Sequence, residues 1–538
     1  MSTSTSTSSS SSPSSFIQRH PNDPQNNPSS HPNYNKFEEI ARIDAEVTRL
    51  QRETMMNLRR QSAELNCQRN ALLSAVNLPV EILSMIFEFA CIPAKFREPF
   101  STVINDSFFR TSKDYCSIYV GPLFISRVCA VWRHVALTIP QLWSSIQLSV
   151  GHKGAKKQAA VLRYWLSKSG SRPLTVGITE DCEFGKVRSK MPTDVIAVLE
   201  GYASRLHIAQ LLMTKEWEPA LSRIGKRASL LTSLTLELAC ESRPIDYVQC
   251  FHAAPQLHHV TLIGYDIMKV DLPHAQIKSL SVDHINRDDP LLALRLHPAL
   301  QEYTINTEMD FGGSRDVVSM SLPVTHSLVS LDLTLDCNPD LDAILDNLTL
   351  PQLRSFELVL TDEAPSPYSM GRFFARSNCA LESLGLYCDI LPEMTILSCL
   401  VMLPNLRDLS LQFLDDGQIS QGMLDLLNPR KFADLWNHAD IGEEKQRLIA
   451  QWMGKLPCLV PNLETFSCDG DVAFDSRALV ELLEARWDDG KHNQDAETGE
   501  RSVTRLRSAR ITCRGLDLED GDAEIVARLR SEGMRLQI

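Results

Sequence analysis

A chain of 538 residues and 60.4 kDa exceeds what one small core needs, and its 43% hydrophobic content supports a globular body of about two to four structural units. The net charge of -13 and pI near 5.6 exclude general binding to nucleic acid or anionic membranes, which needs clustered Lys and Arg to displace counterions; protein is the expected partner. Fourteen scattered cysteines with no Cys-x-x-Cys pair offer neither a zinc knuckle nor a disulfide framework, so reduced thiols, no metal and no cofactor are expected.

Thirteen of the first fifteen residues are Ser or Thr, and Pro and Asn extend the bias, so residues 1–36 are expected as a disordered, solubilising tail whose hydroxyls suit phosphorylation. No basic region leads into an apolar run there. The most apolar stretch, 71–94, is broken by Asn77, Pro79, Glu81 and Glu88. Neither a secretory signal nor a membrane span is expected, which places the protein in the cytoplasm or nucleus.

Residues 37–73 lack Gly and Pro and carry apolar residues at Ile40, Ile43, Val47 and Leu50, then at Leu58, Leu65 and Leu72. This is a heptad-like helix with a phase slip. It suits a coiled-coil homodimer or a helix packed on its own domain, and both readings stand.

The next helix opens with Pro79 at a first helical position. Its apolar residues Ile82, Leu83, Ile86, Phe87, Phe89 and Ala90 cover more than half its circumference, so it must contact something on two sides. A polar insertion follows near 93–122. A further helix over 123–137 places Ile125, Val128, Trp132 and Val135 on one stripe; Pro140 ends it, and Ile146, Leu148 and Val150 alternate as a strand.

The ordered pieces LPVEILSMIF and ISRVCAVWRHVALTIPQLWSSI resemble the F-box at Leu78, Pro79, Glu81, Ile82, Leu83, Ile86, Phe87, Val128, Cys129, Trp132, Leu142 and Trp143, with a long insertion as the departure. The resemblance implies a three-helix domain over 74–148 that binds a Skp-type adaptor, and through it a cullin scaffold carrying ubiquitin-conjugating machinery. Adaptor contact is expected from Leu78, Pro79, Ile82 and Ile86, and an internal position for Leu83, Phe87, Val128, Trp132 and Trp143. The plainer reading is a set of packed helices leading into the next domain.

From residue 149 to 538 a Leu-x-x-Leu-x-Leu type of pattern starts at Ile208, Leu231, Leu257, Ile277, Leu300, Leu328, Leu353, Leu381 and Leu406. These spacings of 20 to 28 residues fall within the leucine-rich-repeat period. Leu463-x-x-Phe466-x-Cys468 and Leu506-x-x-Ala509-x-Ile511 read as further strands, after an inserted helical segment near 415–460. The Asn or Cys usual after the strand is missing from Leu231 onward, so irregular turns are expected. FFARSNCALESLGL and LVELLEARW resemble the divergent repeat domains of fungal F-box-like proteins. The fold class is therefore α+β in several units: an N-terminal helix, a three-helix F-box, and an α/β leucine-rich-repeat solenoid with a curved parallel sheet.

Strand alternation puts the third and fifth motif residues on the open face. In the eight repeats from Leu231 these are ten Ser or Thr, four acidic residues, and no Lys or Arg. Ser233, His259, Ser279, Glu302, Asp332, Glu357 and Asp408 are the candidate target-binding residues; plain solvent-facing hydroxyls are the alternative. No His-Glu-x-x-His, Gly-x-Ser-x-Gly or Gly-x-Gly-x-x-Gly occurs, and His258 and His259 point to opposite sides of a strand. A non-enzymatic receptor follows: the adaptor docks on the F-box and an unidentified protein target on the repeats. The alternative is a ligase-independent scaffold that dimerises through residues 37–73.

Overall fold

A computed structural model describes residues 32–72, 78–91, 121–150, 154–180, 192–213, 215–238, 251–265, 267–283, 291–306, 322–335, 338–361, 364–413, 419–432, 456–492, 503–514 and 518–538, with isolated positions between. The chain falls into two compact units, Met1–Pro79 and Val80–Ile538. Most of the tail expected over 1–36 and most of the insertion expected near 93–122 lie outside the described residues.

Among the described residues of the first unit there is one helix, α1 (Pro32–Ala71), which begins five residues earlier than its polarity suggests. Ion pairs Arg42–Glu39, Arg49–Glu46, Arg49–Glu53 and Arg60–Glu64 run along its surface at helical spacing. Its apolar stripe Ile40, Ile43, Val47, Leu50, Leu58 and Leu65 is exposed throughout.

The second unit opens with α2 (Val80–Cys91), α3 (Gly121–Ile125) and α4 (Ala130–Thr138), which pack on one another. A single helix over 123–137 is not what forms. The chain leaves helix after Ile125, and Cys129, in extended conformation, caps α4 by accepting the Trp132 N–H at 3.4 Å. A 3-10 turn, Pro140–Trp143, then buries Trp143, whose indole N–H donates to the Ala136 carbonyl at 2.7 Å and whose ring meets Trp165 edge-on at 5.0 Å. These contacts weld the three helices to the repeats.

Among the described residues fourteen strands follow in chain order in one parallel sheet, with the short strand Ile419–Ser420 paired beside Val472–Ala473: β1 (Ser145–Val150), β2 (Leu174–Glu180), β3 (Leu206–Met213), β4 (Ser233–Leu238), β5 (His259–Ile263), β6 (Ser279–Asp283), β7 (Glu302–Asn306), β8 (Ser330–Leu335), β9 (Ser355–Leu360), β10 (Ser383–Cys388), β11 (Asp408–Gln412), β12 (Thr465–Ala473), β13 (Ser508–Arg514) and β14 (Arg535–Gln537). One strand per repeat, with helices or 3-10 turns in most of the described connections, makes this an α/β repeat solenoid of leucine-rich type. Alternate residues such as Leu331, Leu333 and Leu335 point into a continuous core with the connecting helices, and Leu231, Leu257, Ile277, Leu300, Leu328, Leu353, Leu381 and Leu406 are all buried there.

The sheet starts two strands before the first repeat expected from sequence. At that repeat the phase also differs: Ile208 pairs with Ser233 rather than with Leu231, a two-residue slip. Because side chains alternate with period two, such a slip leaves the same face buried. Of the helical segment expected near 415–460, the helix Gln421–Leu427 is described, while 433–446 lies outside the described residues. Arg486, fully buried, ties Leu427 to Leu459 and Val460: its guanidinium donates to the carbonyls of Leu427, Leu459 and Val460 at 2.9, 2.9 and 3.0 Å. On one rim of the sheet, Arg354 pairs with Glu382, and Glu464 bridges Arg407 and Arg507 at 3.3 and 3.2 Å.

Candidate functional site

Two surfaces have the chemistry of recognition. The first is the outer side of the three-helix unit. Helix α2 carries two apolar stripes because Ile, Leu, Met and Phe occupy nearly every turn. Leu83, Phe87 and Cys91, four residues apart, are buried against α3, α4 and the 3-10 turn. Ile82, Ile86 and Phe89, with Val80 and Met85, face outward, and Ile82 and Ile86 are 43% and 46% exposed. Leu78 and Pro79, also exposed, immediately precede the helix at the end of the first unit.

Of the residues expected inside, Leu83, Phe87 and Trp143 are buried, and Trp132 is half-buried with its ring 5.1 Å from Phe87. Val128 is a correction. It lies between α3 and α4, outside the helical stripe that was to bury it, and is 47% exposed. With Phe124 and Val131 it adds to the apolar surface of this unit.

The second surface is the open face of the sheet. Strand register aligns the candidate residues in two rows. Ser233, His259, Ser279, Glu302, Ser330, Ser355, Ser383 and Asp408 are successive partners in the first, and Thr235, Thr261, Ser281, Thr304, Asp332, Glu357, Gly385 and Ser410 in the second. His259, Glu302, Glu357 and Asp408 are exposed and Ser279 and Asp332 half-buried, whereas Ser233, expected on the target-binding face, is buried. The two rows continue past the repeats from Leu231 through Thr465, Ser508 and Arg535, and through Ser467, Arg510 and Gln537. Arginine thus enters a face whose central repeats have none.

Asp332 and Glu357 are direct partners on β8 and β9. Burial, then the nearby Glu357, push the Asp332 carboxyl up to about 6, although the Thr304 hydroxyl donates to it at 3.2 Å. Glu357 is open on one side, yet burial raises it too. The Tyr387 phenol is raised by burial, against a hydrogen bond with Ser410. Tyr387 leans over Gly385 so closely that a Cβ there would lie 2.8 Å from its ring and 3.2 Å from the Glu357 chain. Beside them a cavity of about 290 Å³ opens between Glu357 and Arg510 over Ser410 and Ser467. Sequence reasoning missed Gly385, Tyr387 and Arg510 as partners; the alternation rule identified the rows but gave no neighbours across strands.

Among the described residues no group of three or more His, Cys, Asp or Glu could hold a metal, and no helix is long and apolar enough to cross a membrane. His258 is half-buried, with Nδ1 against the Gln256 carbonyl, while His259 is exposed on the other side.

No family model and no curated protein matches the chain. Among solved structures it is similar to the leucine-rich repeat-containing protein LegL7 from Legionella pneumophila, at 13% identity and a TM-score of 0.30, over 57% of this chain and 98% of that one. The repeat architecture itself, one parallel strand per leucine-rich period, presents an extended polar open face.

Proposed function

We propose that the chain is a non-catalytic receptor subunit of a Skp/cullin/F-box type ubiquitin ligase, whose α2–α4 unit binds the adaptor and whose open sheet face binds a protein target. One observation carries it: α2 is apolar on two sides, and among the described residues Leu83, Phe87 and Cys91 are packed into the core while Ile82 and Ile86 stay exposed. Exposed apolar side chains at i and i+4, here Ile82 and Ile86, are the form in which a helix presents anchors to a partner groove. Isoleucine side chains there gain roughly 25 cal/mol per Å² when covered.

Recombinant Skp-type adaptor is expected to co-purify with the full chain, and a double variant Ile82→Asp/Ile86→Asp is expected to lose it while keeping its circular dichroism. Undiminished capture by that folded variant would remove the docking face from the account.

A second reading has its own observation, the exposed stripe of α1. It makes the chain a ligase-independent scaffold dimerising through that helix. A concentration-dependent dimer lost on deleting residues 37–73, with no adaptor binding, would favour it.

A further inference from the structure

In its two rows of candidate residues the open face changes sign along its length, while the exposed Asp469 on β12 lies just beyond them. In the two rows described above, acidic side chains occur at Glu302, Asp332, Glu357 and Asp408, on β7 to β11, and arginines at Arg510 and Arg535, on β13 and β14. No lysine stands in either row. The cavity lies where the sign reverses, with Glu357 on one wall, Arg510 on the other and the hydroxyls of Ser410 and Ser467 between them. Arg510 is exposed, and among the described residues neither it nor Glu357 nor Asp408 has an ion-pair partner. This contrasts with the rim, where Arg354, Arg407 and Arg507 are each paired with a glutamate. The charges of the rim hold repeats together; those of the cavity have no ion-pair partner among the described residues.

We infer that this cavity anchors the target polypeptide, and that the segment it takes is dipolar, with a basic residue against Glu357 and an acidic residue against Arg510. The inference rests on reading the open face as the target surface. Glu357 and Arg510 stand four strands apart, about 19 Å at the usual strand spacing. A small zwitterion cannot bridge that distance. An extended chain does so in about six residues, and its backbone groups then lie over the two serines. A phosphate backbone would meet the Glu357 and Asp408 carboxylates, and a purely basic segment would leave Arg510 facing like charge. Opposite charges at opposite ends also fix the direction in which the segment lies, which a uniformly acidic face could not do.

The test uses full-length protein and fluorescein-labelled Gly/Ser peptides carrying one Arg and one Glu about six residues apart, in both orders, with Arg-only and Glu-only controls. Fluorescence anisotropy should show one order binding about tenfold more tightly than the other and than either control. The double reversal Glu357→Lys/Arg510→Glu should invert the preferred order while adaptor capture is retained. Equal binding of the two orders, a preference unmoved by the double reversal, or no binding of any peptide would overturn the inference. If preference is absent while adaptor capture persists, the inference alone fails. A photo-crosslinker at the peptide centre that labels residues off the open face would overturn the reading of that face itself.

Discussion

Phe87 of α2 meets Trp132 of α4 edge-on, with ring centroids 5.1 Å apart and planes at 63°. This contact decides which side of α2 is spent on the chain's own core and therefore which side, Ile82 and Ile86, is left outward. Phe87→Ala should cost about 3–5 kcal/mol of stability in the three-helix unit, because it removes a fully buried ring and leaves a cavity. Urea unfolding followed by tryptophan fluorescence measures it. A loss below about 1 kcal/mol would mean that the ring is not a core residue.

Arg486 gives a second expectation. Its charge is fully buried, and among the described residues its guanidinium donates to three carbonyls. Arg486→Met keeps the bulk but strands those acceptors, and should destabilise the segment around Leu427 and Val460 by several kcal/mol, on the order of the 3–5 kcal/mol found when a buried charge network loses a partner. Limited proteolysis should show early cleavage there. Arg486→Lys, which cannot reach three acceptors with a planar fork, should rescue only in part.

Stability should fall in mild acid. The His297 ring is fully buried, with Nδ1 at 2.8 Å from the Ala293 carbonyl and Nε2 at 3.0 Å from His274 Nδ1. Burial drives its pKa down to about 4. Burial also lowers His274 and His326, the latter bonded through Nε2 to the His297 carbonyl at 3.1 Å. A histidine with a depressed folded pKa binds its proton in the unfolded chain first, so the stability it confers is complete above about pH 6.5 and is lost as pH falls toward 4. For His297 the loss is on the order of 3 kcal/mol. Asp332, raised to about 6, works in the opposite direction over the same range. Urea midpoints at pH 7.5 and 5 should separate in the wild type and converge in His297→Gln. Equal midpoints in the wild type would contradict the burial of this histidine chain.

Two glycines on the sheet should respond differently to alanine. At Gly470, φ is +148° and a Cβ would lie 2.5 Å from the buried Phe413 ring and 2.6 Å from its carbonyl, so Gly470→Ala should unfold the β12 end. At Gly385 the obstruction is the movable Tyr387 ring, so Gly385→Ala should displace that ring with little loss of stability. Thermal unfolding of both variants, with tyrosine resonances followed by NMR, distinguishes the two outcomes.

The repeats were legible because a solenoid writes its period into the sequence: each turn must bury one set of leucines, and those recur from Leu231 to Leu406. The strand Leu174–Glu180 was not, since Leu174-Thr-Val-Gly-Ile-Thr-Glu180 has no preceding leucine motif to announce it. The slip at Ile208 escaped because a period of two is blind to even shifts. Val128 was misplaced for a local reason. No Gly or Pro marks the break between α3 and α4, and the cap is a cysteine, a weak acceptor that sequence patterns do not signal. The alternation rule found Glu357 and Asp408, but pairing Glu357 with Arg510 across an intervening cavity depends on strand register over four neighbours, which no local pattern contains.

The central claim, an adaptor-docking face on α2, is tested most directly by hydrogen–deuterium exchange of the full chain with and without a recombinant Skp-type adaptor. Slowed exchange concentrated in Val80–Cys91 and Ala130–Thr138, with the strands from β4 onward unchanged, is the predicted result. Unchanged exchange in both helices at saturating adaptor, or protection confined to the sheet, would contradict it.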